Sequence, residues 1–222
     1  MNEGAFFGSA VLYRIRCHGE SALFAWQHAM KGAFFMRKEK WNLNTLCILA
    51  LLTAMMVLLS LTLAVRTDYF KLTFGSLPVV LAAMLYGPLA GATVAVLGEF
   101  MVQLLTFGLM PTTVIWIFPP AIRAVVVGLA AVQLKKTGAP LESRPAVCYA
   151  VCILGAVLTT TGNTLGMWLD SLVYRTSFSA ALFITPARYV SGVVTAAVIA
   201  TLSMPLVQLL RRSGVLNETR HD

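Results

Sequence analysis

The sequence predicts an all-α integral membrane protein of six transmembrane helices, with the N and C termini cytoplasmic. Three observations lead there. Hydrophobic residues make up 58% of the 222 positions and charged residues 12%, about half the charged share of a soluble domain. The apolar runs are long enough to cross a hydrocarbon core of ~30 Å. The charges collect between those runs, and with both termini inside the basic residues fall mainly on one side. That topology accounts for the net charge of +8. No basic run is interleaved with aromatics, as a nucleic-acid groove requires.

Residues 1–39 read as a weakly structured or interfacial extension. Phe6, Phe7, Val11 and Leu12 are apolar, but Arg14, Arg16, His18 and Glu20 interrupt any span. The membrane domain covers 40–212 and opens on the basic border at Lys40. Span 1 is expected from about Leu43 to Val65, followed by a polar loop with Arg66, Asp68 and Lys71. Span 2 starts between Phe70 and Leu77, has a candidate kink at Pro78, and ends at Tyr86. Gly87-Pro88 turns the chain into span 3, about Leu89 to Phe107.

Span 4 runs from about Val114 to Leu134, and Lys135, Lys136, Glu142 and Arg144 mark an inner loop. Span 5 covers about Ala146 to Leu172, with Asp170 and Arg175 assigned to the outer loop after it. Span 6 covers about Ala180 to Leu210 and stops at Arg211-Arg212; the tail, 213–222, is polar.

The chain is organised around Phe74 to Gly128, an almost wholly apolar stretch broken by Glu99 and Arg123 and punctuated by Gly87-Pro88 and Pro119-Pro120. A charge within such a run faces protein or a cavity. With a rise of about 1.5 Å per residue, Arg123, Asn163 and Arg188 lie roughly 12–16 Å below the outer ends of spans 4, 5 and 6, and Glu99 on span 3 sits at a similar level. Four polar groups at one depth point to a shared site. The competing reading pairs Glu99 with one arginine as structural glue. If Glu99 neutralises one arginine, the remaining positive charge suits an anionic ligand such as a carboxylate. Trp116, Trp168 and Tyr189 lie toward the outer face. They either stack on a flat ligand or form an interfacial belt.

Ala50 and Ala54 are small residues one helical turn apart on span 1, a spacing that lets another helix approach closely. Gly87 with Gly91 and Gly162 with Gly166 repeat it, and internal packing explains such pairs equally well. Cys148 and Cys152 share a helix face, but no histidine is near to complete a zinc set. They read as packing residues. The chain has no Walker A sequence, no His-Glu-x-x-His and no Gly-x-Ser-x-Gly. No histidine lies in a span. Catalytic residues, a metal site and a cofactor are therefore not expected, and the chain is not expected to be an enzyme.

Several segments together resemble one family. They are Leu72-Thr73-Phe74-Gly75-Ser76-Leu77-Pro78, Leu85-Tyr86-Gly87-Pro88-Leu89-Ala90-Gly91, the acidic Glu99, Ala121-Ile122-Arg123-Ala124, Asn163-Thr164-Leu165 with Trp168, and Pro186-Ala187-Arg188. In order and spacing, from about Lys40 to Arg212, they resemble the substrate-binding S component of energy-coupling factor (ECF) vitamin transporters, most closely the folate-type group. The resemblance implies a six-helix bundle in a bacterial cell membrane that binds a vitamin from the outer side.

It also implies partners: a transmembrane coupling subunit and two cytoplasmic ATPase subunits that use the ATP, with the S component toppling to release its cargo. Ala50 and Ala54 would be the docking element for the coupling subunit. Arg123, Arg188, Asn163, Trp116, Trp168, Tyr189 and Glu99 would form the substrate site. Two arginines suit folate's glutamate tail and the tryptophans suit its pterin; pantothenate is the next candidate. The segment Ile115-Trp116-Ile117-Phe118-Pro119-Pro120 departs from the family pattern, because its double proline changes the wall before Arg123. Two other readings stand beside this one. One is a standalone secondary transporter with Glu99 as its proton or cation site; the other is a membrane scaffold with a dry Glu99–arginine core.

Overall fold

A predominantly apolar, uncharged sequence gives α1, Leu43–Thr62. The computed structural model describes residues 42–63, 65–66, 71–72, 74–136, 138, 140–175 and 179–212. The extension 1–39, the basic border at Lys40 and the tail 213–222 lie outside the described residues. After α1, Val65–Arg66 (β1) and Lys71–Leu72 (β2) pair antiparallel as a two-residue hairpin. Span 1 was expected to reach Val65; instead Val65 has turned into β1, because the polar run that follows has no place in a helix crossing lipid.

The second helix, α2, is Ser76–Tyr86, only 11 residues. It rises ~16 Å, about half of a hydrocarbon core. Pro78 occupies its first turn, where a missing N–H breaks no helical bond, so it introduces no kink. Every residue from Leu77 to Met84 is buried, as expected of a helix that is apolar on all sides. One side packs with Leu49, Leu52, Val94 and Ala95 of its neighbours, and the other with Val127, Ala196 and Ile199.

Gly87 ends α2 at φ +95°, a left-handed conformation that glycine adopts without strain. Pro88 then opens α3, Pro88–Phe107. This turn is locked by α4, Thr113–Lys136. A Cβ on Gly128 of α4 would lie 2.5 Å from Pro88 Cα, so only glycine fits there.

A single 3₁₀ turn, Leu141–Ser143, leads to α5, Pro145–Tyr174, and the chain closes with α6, Ser179–Arg212. Neighbours in sequence from α3 to α6 pack pairwise, α1 packs on α2 and α3, and α2 touches α1, α3, α4 and α6. Among the described residues there are six α-helices, five of them long and apolar enough to cross a membrane; α2 is the short one. Lys135 and Lys136 end α4, and Arg211 and Arg212 end α6. Arg211 Nη1 meets Glu142 Oε1 at 3.0 Å, so these basic helix ends share one face of the bundle.

Candidate functional site

At the opposite end, α2 stops at Ser76 while the longer helices continue. A cavity of about 420 Å³ occupies the space beyond it, within the usual ~300–1,000 Å³ range of small-molecule sites. Each long helix contributes one face. Met56 and Ser60 come from α1, Gly75, Ser76 and Val79 from the start of α2, and Glu99, Val102, Gln103 and Phe107 from α3. On α4, Trp116, Pro120 and Arg123 follow at helical spacing; on α5, Thr159, Thr160, Asn163 and Asp170; on α6, Arg188, Ser191 and Thr195.

Arg123 Nε donates to Thr159 Oγ1 at 3.4 Å. Thr159 Oγ1 in turn lies 3.2 Å from Pro119 O, in the double-proline segment. The pair ties α4 to α5 below the cavity. Gln103 Nε2 donates to Glu99 Oε1 at 3.2 Å. Arg188 Nη1 contacts Met167 Sδ. Trp116 Nε1 donates to Asp170 Oδ2 at 2.9 Å, which fixes the indole between α4 and α5. Asp170 Oδ1 is buried and has no hydrogen-bond partner among the described residues.

The structure brings Arg123, Arg188, Asn163, Trp116 and Glu99 to one cavity. Trp168 and Tyr189 are not among its lining residues. Trp168 is 44% exposed on the outer surface of α5. Tyr189 Oη shares a hydrogen bond with Thr161 Oγ1, 2.8 Å away. Helix rotation explains the position of Trp168. At about 100° per residue, Asp170 comes within ~20° of Asn163, whereas Trp168 is rotated by ~140°.

Asp170 was assigned to the loop. In fact α5 continues to Tyr174 and ends at Arg175 in a left-handed conformation, φ 52°, so Asp170 is helical and lines the cavity. Its seven-residue spacing from Asn163 was the available signal. Ala50 and Ala54 do not line the cavity; they lie on an exposed stripe of α1 with Leu43, Cys47, Leu58 and Leu61. Cys148 and Cys152 are buried in the core. Among the described residues no cluster of metal-ligating side chains occurs.

A family model described as "ECF-type riboflavin transporter, S component" matches residues 40–212. No curated protein matches the chain. Among solved structures, the S-component for biotin from an ECF-type ABC transporter is similar with a TM-score of 0.56 and 13% identity, covering 78% of this chain and 95% of that one. The structure of FolT bound with folic acid has a TM-score of 0.49 and 16% identity, covering 80% and 96%. The likeness to the biotin S-component concerns the fold.

Proposed function

Since the chain belongs to the ECF-type riboflavin transporter S-component family, a family of transport-binding subunits and not of enzymes, we propose that its cavity binds riboflavin and that it delivers the vitamin through ATPase-coupled partners. The protein is a multi-pass membrane protein. The vitamin is where the reading departs from the folate expectation, and the charge balance of the cavity carries that change. Arg123 and Arg188 are matched by two carboxylates, Glu99 and Asp170, among the described lining residues. The formal sum is zero. The folate argument counted only Glu99 against the arginines and left a positive charge for a glutamate tail; Asp170 removes it.

An uncharged ligand with a flat ring system suits such a site better than a dicarboxylate, whose charges would be desolvated without a matching excess of cations. Trp116, Phe107, Met56 and Val79 offer apolar surface for the ring. Arg123, Arg188 and Asn163 offer donors for its carbonyl edge. The basic helix ends at the far face argue that the cavity opens outward.

The partners proposed are a transmembrane coupling subunit and two cytoplasmic ATPases. The exposed Ala50–Ala54 stripe of α1 gives the coupling subunit a place for close helix contact. Ala50→Trp is expected to leave vitamin binding intact and to abolish co-purification with the coupling subunit; full assembly of the variant would remove α1 from the docking role.

The test of the vitamin is quenching of flavin fluorescence by the detergent-purified chain, with folate, biotin and pantothenate as competitors. Stoichiometric quenching that excess folate does not reverse is the expected result. Tight folate binding with no flavin quenching would restore the carboxylate reading.

A further inference from the structure

The hydroxyls along α5 and α6 have their hydrogens committed elsewhere. A threonine or serine hydroxyl has one hydrogen to donate and two lone pairs to accept with. Thr159 Oγ1 donates to Gly155 O at 2.7 Å and Thr160 Oγ1 to Ala156 O at 2.9 Å. On the facing helix, Ser191 Oγ donates to Arg188 O at 3.0 Å and Thr195 Oγ1 to Ser191 O at 2.7 Å. All four residues line the cavity. Such back-bonding to the preceding turn is the usual fate of these side chains inside apolar helices. Its consequence here is chemical: these four hydroxyls face the ligand as acceptors, with their hydrogens already used. Asp170, with one carboxylate oxygen buried and unpartnered among the described residues, adds a further acceptor to the same cavity.

Thr159 already accepts from Arg123; Thr160, Ser191 and Thr195 keep their lone pairs. The two helices meet closely at this level, where a Cβ on Gly192 would lie 3.0 Å from Thr160 Oγ1. Thr160 of α5 therefore sits against the α6 backbone next to Ser191.

We infer that Thr160, Ser191 and Thr195 form an acceptor strip that recognises the polyhydroxyl chain of the ligand. This rests on the flavin reading above and refines it by placing the ribityl chain along α5–α6. The strip is a specificity device. It accepts a chain rich in O–H donors, and it is mismatched to a carboxylate or a thioether tail, which bring only acceptors.

The experiment measures riboflavin and lumiflavin, the same ring system with a methyl group in place of the ribityl chain, against wild type, Thr160→Val and Thr195→Val. Valine keeps the shape of threonine and removes the oxygen. Each variant is expected to bind riboflavin about fivefold more weakly, the effect of losing one neutral hydrogen bond, and to bind lumiflavin as wild type does. Thr195→Ser, which retains the oxygen, should recover riboflavin affinity. Equal losses for both flavins, or no loss for riboflavin, would overturn the strip and leave the flavin assignment standing. Binding of neither flavin by the wild-type chain would overturn both.

Discussion

The two ends of this bundle share the same long helices and differ in what stands between them. At the basic end the short helix α2 fills the centre, and Val127 and Ala131 of α4 with Ala196 and Ile199 of α6 close around it. At the other end α2 is missing, and the helices that surrounded it turn threonine, asparagine, arginine and acid side chains into the vacated volume. The difference teaches that a membrane-embedded polar cavity needs no special scaffold. Ending one central helix after 11 residues leaves a cavity whose walls are the continuing faces of its neighbours, and those faces then carry the polarity.

The largest expected effect comes from attacking the packed end. Gly128→Val would drive a side chain into Pro88 and force the α2–α3 turn apart. Overpacking against backbone has few relaxations open to it, so destabilisation above about 3 kcal/mol is expected. Thermal melting in detergent reads it directly; an unchanged melting temperature would mean that the turn does not hold α2 in place.

Next comes the cavity end. Arg188→Ala removes a charged donor from the wall and should weaken vitamin binding by roughly tenfold or more, with the protein still inserted and monodisperse. The comparison would blur if affinity held and melting temperature fell instead. The smallest effect returns to the basic end. Glu142→Gln loses the ion pair with Arg211, whose side chain is 34% exposed while that of Glu142 is 6% exposed. Solvent screening limits such a pair to about 1 kcal/mol or less, so a small drop in melting temperature with no change in vitamin affinity is expected. A change in affinity would mean that the two ends are coupled.

Much of this arrangement could be read from the sequence, and the unread parts have physical causes. Long apolar runs and their charged borders locate α1, α3, α4, α5 and α6 to within a few residues, because hydropathy and the cost of burying charge act locally. Intramembrane Glu99, Arg123 and Arg188 stand out against an apolar background for the same reason. The length of α2 was harder to fix: the apolar residues before and after Leu77 look alike, and only the tertiary setting decides where the helix begins. Trp168 and Asp170 are neighbours in sequence yet face different surroundings, which depends on the rotation of α5. The hydroxyls of Thr160, Ser191 and Thr195 resemble neutral packing residues in a sequence; the role proposed for them rests on the cavity and their backbone bonds seen together.

The paired prolines of α4 carry one more consequence. Pro119 and Pro120 each lack an N–H, so the carbonyls of Ile115 and Trp116 have lost their partners one turn ahead. Mechanically, α4 is two stiff rods joined at a softened link, with Trp116 on the outer rod and Arg123 on the inner one. A ligand held by both residues would brace that link, so part of its binding would be expressed as stiffness of the helix as well as adhesion to its surface.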